Sequence, residues 1–172
     1  MPEPLLDEAR RRKVELDAAN ARNLDAIDTF GWAVVMVAPG LNESFAPFAY
    51  TIGLSRHQAP ELIMVGIDAS PAARILNDIG SIASREPIEV GPLPGFLAGR
   101  HVLDLREVDR RHYDDYLGRL LWFHNHFGAG PLRVFQAIWP DKRGRYPDDP
   151  GLTQGERAVF LRRQPLLDRA LE

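Results

Sequence analysis

Apolar and polar positions change their period several times along this chain, and each change marks a new element. From Leu5 to Thr29 there is no glycine, and Leu16, Ala19, Leu24, Ile27 and Phe30 recur at helical spacing. That pattern predicts an N-terminal helix packed on a core. Three short β-rich runs follow, Trp32 to Val37, Phe48 to Leu54 and Leu62 to Ile67, separated by Pro39-Gly40 and by a polar stretch ending in Pro60. They predict neighbouring antiparallel strands. Ser70 as N-cap and Pro71 at the first helical position open an amphipathic helix whose stripe is Ile75, Leu76, Ile79, Ile82 and Ala83. Gly91 to Gly95 predicts an irregular connection, and His101 to Val108 a half-buried strand. The spacing of Tyr113, Tyr116, Leu117, Leu120, Leu121, His124 and Phe127 predicts one face of a helix closed by Gly128, with Trp122 on the opposite side. Leu132 to Trp139 predicts a further strand, Pro140 to Gly151 a loop, and Gln154 to Arg162 a last short helix.

This order lacks regular βαβα alternation. The fold class is therefore α+β in one domain: an N-terminal helix over residues 1–29, a sheet-and-helix core over 30–151 and a C-terminal segment over 152–172. The sheet is expected to be antiparallel or mixed, with closure into a barrel as an open alternative. The length of 172 residues suits one core. Hydrophobic residues at 45% and charged residues at 26% match ordinary globular proteins. No run reaches the ~18 apolar residues of a membrane span, and the charged N-terminus is unlike a secretory signal, so a cytoplasmic location is expected. A net charge of -3 argues against nucleic acid as a partner.

The absence of cysteine removes thiol nucleophiles and thiolate metal sites. Gly53-Leu54-Ser55-Arg56-His57 departs from a nucleophile elbow, because histidine stands where the last glycine belongs and a strand follows; a strand-terminating turn is the better reading. His124 and His126 are two apart and project to different sides of a helix, so no metal site is expected there. His124 falls within the apolar stripe, which makes it either a hydrogen-bonded core group or a pocket residue. Tyr50 on a strand, His57 at its end, Gln136 on a strand expected to be central, and Asp141 in the loop that follows complete the candidates for one polar cleft with His124.

Several stretches carry a resemblance: Phe30-Gly31-Trp32, Phe48 to Leu54, Pro60-Glu61-Leu62, Leu76-Asn77, Gln136 to Asp141 with Gly144 and Pro147, and the closing Gln164-Pro165-Leu166-Leu167. Together they resemble the bacterial family labelled domain of unknown function 4262. The resemblance implies a shared fold; no catalytic residue is carried over from it. Three functions are expected in order: small-molecule binding in a polar pocket between the sheet and the His124 helix, with catalysis and any cofactor left open; an interaction or immunity-like module, with a homo-oligomer formed through the Trp122 face; and a flavin or mononucleotide binder on a homodimeric split barrel. For the last, only Arg56 and Arg100 are available as phosphate-binding cations.

Overall fold

A six-stranded mixed sheet organises the chain, and the computed structural model describes it over residues 2–169. The strands are β1 (Ala33–Val37), β2 (Phe48–Ile52), β3 (Glu61–Val65), β4 (Gly91–Leu93), β5 (Leu103–Glu107) and β6 (Val134–Ile138), in the order β1-β2-β3-β6-β5-β4. Only β3 and β6 run parallel; every other pairing is antiparallel. The sheet is open, with β1 and β4 at its edges, so it is not closed into a barrel. The strand β4 lies in the segment expected to be irregular, where Gly91 and Pro92 pair with Leu105 and Asp104 at the sheet edge. A proline is tolerated there because the outer side of an edge strand needs no donor.

The helices are α1 (Leu5–Arg11), α2 (Ala18–Phe30), α3 (Ala69–Ala83), α4 (Tyr113–Tyr116), α5 (Gly118–Phe127) and α6 (Gln154–Arg163). Strands β2, β3 and β6 are buried on both faces, so their side chains alternate between two cores. On one face Phe48, Tyr50, Ile52, Ile63, Val65 and Val134 pack with α1, α2, α4 and α5. On the other, Ala49, Leu62, Met64, Phe135, Leu103 and Leu105 pack with Ala72, Leu76 and Ile79 of α3. No helix among the described residues is long and apolar enough to cross a membrane.

Three helices differ from the sequence pattern. The N-terminal helix is two helices, broken where Lys13 takes a left-handed conformation (φ 56°) and Asp17 accepts a hydrogen bond from the Asn20 amide as the N-cap of α2. Asp28 of α2 accepts from the Leu5 amide at 2.8 Å, which folds α1 back and buries Leu5 and Ala9. The start of α3 lies at Ala69, after Asp68; Pro71 then falls within the first turn, where its missing N–H is no loss. The helix expected from Tyr113 to Phe127 breaks at Leu117 (φ -116°, ψ 32°), and the break resets its phase. Leu120 and Phe123 of α5 therefore face the core, while His124 stands half-buried at its border.

Candidate functional site

Of the five residues expected to share a cleft, His57 and Asp141 line different clefts, and Tyr50 and Gln136 are buried. Tyr50 is buried under α5, where its hydroxyl accepts from the Arg119 amide at 3.3 Å and burial pushes its phenol pKa up. His57 is exposed at the end of a 3-10 turn, Leu54–His57, and its Nε2 lies 3.2 Å from the Gly31 carbonyl. His124 has a buried Nδ1 with no partner among the described residues, pressed against Gly128. Gly128 is therefore needed for space beside the imidazole; its backbone is extended (φ -79°, ψ 156°) rather than left-handed. Tyr50, Ile52, Leu120 and Phe123 pack together between the sheet and α5. Trp122 is half-buried as well, its ring 4.9 Å from His126 and 6.0 Å from Phe127.

Gln136 sits on central strand β6 and is spent on architecture. Its Nε2 donates to the Pro165 carbonyl at 2.8 Å, and its Oε1 accepts from the Leu167 amide at 2.9 Å. Gln164 repeats the device at the strand's end: Trp139 donates its amide to Gln164 Oε1 at 2.9 Å, and Gln164 Nε2 donates to the Trp139 carbonyl at 2.8 Å. Two glutamine side chains thus zip the segment after α6 onto β6.

A buried carboxylate escaped the reading of the sequence. Glu61 opens β3 and is fully buried, yet four donors converge on it: the Thr51 hydroxyl at 2.6 Å and the amides of Gly53 at 2.8 Å, Leu54 at 3.3 Å and Ser55 at 3.1 Å. Burial pushes its pKa up, against the pull of those donors. Glu61 thereby satisfies the amides of the turn that ends β2, and Gly53 (φ 112°) lets that turn pass against Gly31 and Trp32. Its lone pairs are occupied, so it serves the fold. A glutamate leading an apolar run buried on both faces was the available signal.

Asp141 lines a groove large enough to hold a small ligand, while His57 borders two smaller clefts of about 460 and 450 Å³. Trp139 and Pro140 leave the end of β6, and the loop turns back at once because Asp141 Oδ1 accepts from the amides of Arg143 at 2.9 Å and Arg145 at 2.8 Å, while Arg145 Nε donates to Oδ2 at 2.9 Å. Burial alone would raise the Asp141 carboxyl; the two amides and the guanidinium together hold it below the ordinary carboxylate range. Opposite the loop lies α6, started by a capping box between Thr153 and Glu156. Between them runs a groove of about 600 Å³. Its apolar surfaces are Trp139, Leu152, Val159 and Phe160, with the Trp139 and Phe160 ring centroids 5.3 Å apart. Trp139 is fixed by its indole N–H, which donates to the Val65 carbonyl at 2.8 Å. Gly66 next to it has φ 89° and is packed against the Arg163 carbonyl and the Trp139 ring, which brings the end of α6 down onto the sheet.

Lys142, Arg143, Arg145 and Arg163 surround this floor. Among the described residues that line it there is no serine or histidine, and both carboxylates, Asp141 and Glu156, accept hydrogen bonds from backbone amides. A second cleft of about 480 Å³ lies on the far side of the zipped segment, between Phe45, Phe48 and Tyr116 on one wall and Pro165 to Leu167 on the other.

Neither a curated protein nor a solved structure matches the chain significantly. The family described as Domain of unknown function (DUF4262) matches over residues 26–153, a span that includes the whole sheet, Glu61 and the Asp141 loop and stops at the N-cap of α6. The chain belongs to that family.

Proposed function

We propose that this protein binds a small molecule, and that the binding site is the groove between the Asp141 loop and α6. The observation that carries this reading is the combination of a preformed apolar floor with a rigid, cation-bearing rim: Trp139 and Phe160 below, and a loop locked by Asp141 above. Ligand sites are commonly concave, largely apolar and fitted with a few fixed polar groups, in volumes of roughly 300–1,000 Å³. The groove at about 600 Å³ is within that range. It replaces the region around His124 as the place for a ligand, because the helix bearing His124 is packed directly on the sheet. The fluorescent naphthalene dye 8-anilinonaphthalene-1-sulfonate tests it. Wild type is expected to bind one dye with enhanced emission, and Val159→Asp, at a half-exposed position, is expected to abolish that signal while melting normally. Equal emission from both proteins would refute the groove as the site.

A second reading, association of two copies of the chain, rests on the β1 edge. Trp32 to Ala38 carries no charged residue, and Phe30 and Met36 beside it are 74% and 54% exposed. Free edge strands in monomers usually carry lysine, proline or a bulge that blocks pairing. Light scattering on eluting protein is expected to give a dimer that Met36→Lys dissociates. A monomeric wild type would remove this reading.

A further inference from the structure

The groove's charges are unevenly engaged. Its two carboxylates are both committed: Asp141 to Arg145 and two amides, and Glu156 to the Thr153 amide of the capping box, with Arg145 3.8 Å away. Arg145 is thus held on both sides. Lys142, Arg143 and Arg163, by contrast, form no ion pair among the described residues. Three cations without an ion-pair partner among the described residues thus stand around one apolar floor. Arg163 is also placed: its guanidinium lies over the Trp139 ring, 5.3 Å from the centroid, and lines the groove.

We infer that the groove takes an organic anion: a flat apolar body laid against Trp139 and Phe160, with a carboxylate or phosphate held by Lys142, Arg143 and Arg163. This rests on the reading of the groove as the binding site. A neutral apolar molecule would leave the three cations without counter-charge, and a hydrophilic anion would leave the aromatic floor uncovered; only a ligand carrying both features uses the whole surface. Guanidinium groups suit carboxylate and phosphate alike, through paired N–H donors.

Titration calorimetry with 1-naphthoate, 1-naphthyl phosphate and the neutral 1-naphthalenemethanol separates the possibilities. Each anion is expected to bind about tenfold more tightly than the alcohol, with the advantage fading as salt rises from about 0.02 to 0.3 M. The ratio between the two anions identifies the preferred head group. In the triple variant Lys142→Ala, Arg143→Ala, Arg163→Ala the anions should lose their advantage and bind no more tightly than the alcohol. If the alcohol binds wild type as tightly as the anions do, the groove remains a binding site and the anion inference is overturned. If none of the three binds, or all bind Val159→Asp as well as wild type, the groove reading fails too.

Discussion

Glu61 shows how much one side chain can organise. A carboxylate with no exposure is normally a liability, but its oxygens here collect one hydroxyl and three amides from the turn that ends β2. Thr51 accepts from the Leu62 amide at 2.9 Å, so its only proton goes to Glu61. Glu61→Gln would replace one acceptor oxygen by an NH2 group facing those donors. The expected loss is about 1–3 kcal/mol in urea denaturation, from stranding buried N–H groups. An unchanged midpoint would contradict the cradle. His124 behaves oppositely: its Nδ1 already lacks a partner among the described residues, so an apolar replacement strands nothing. His124→Leu should stay within about 0.5 kcal/mol of wild type. A loss above that would show a hydrogen bond that the geometry does not contain.

Elements were legible in the sequence where periodicity and burial coincide. The cores of five strands lie within their expected runs, because β-branched and aromatic residues bounded by Gly and Pro signal strands locally. Helix breaks were not legible, since periodicity continues through them: Leu117 belongs to the same apolar stripe on both sides of its kink, and only the phase shift puts Phe123 in place of His124. The groove was hidden for a related reason. Val159 and Phe160 are adjacent on a helix with no apolar stripe, and their partner Trp139 lies just past the end of β6, about twenty residues earlier. Gln136 was identifiable as a central amide needing partners, but nothing local says that those partners come from the Gln164-Pro165-Leu166-Leu167 stretch. That stretch positions Arg163 and the end of α6. Gln164→Ala would leave the Trp139 amide and carbonyl unpaired, with an expected cost of about 1–3 kcal/mol and faster hydrogen exchange at the Trp139 amide. Retained protection there would show that the zipper does not hold this end of the sheet.

At the scale of the molecule, carboxylates held by arginine tie the C-terminal third to the sheet. Arg106 on β5 contacts Asp148 through two nitrogens at 2.7 and 3.1 Å and Asp104 at 2.7 Å, and Arg169 also reaches Asp148 at 3.1 Å. The Arg106 hydrogen bonds hold the Asp148 carboxyl below its ordinary range, as Asn20 and Arg119 do for Asp17. A depressed carboxyl contributes stability that is present above its unfolded pKa and lost as pH falls through the folded one. Glu61, shifted upward, has the opposite sign: its contribution is lost as pH rises from the ordinary glutamate value through the raised one. Glu61 should lower the urea midpoint as pH rises above the ordinary glutamate value, where the depressed carboxyls are already ionised and add no compensating change; their own loss should drop the midpoint as pH falls from about 4 to 2. A midpoint that rises on acidification through that lower window would contradict the role of the depressed carboxyls.

The three tryptophans report directly on where a ligand sits. Trp32 bonds to Asn77, Trp122 rests on His126, and Trp139 forms the floor of the groove, so each indole N–H samples a different surface. In a 15N–1H correlation spectrum titrated with 1-naphthoate, the Trp139 indole resonance should move progressively while those of Trp32 and Trp122 stay in place. Movement of the Trp122 indole with a fixed Trp139 would put the ligand beside α5 and contradict the account.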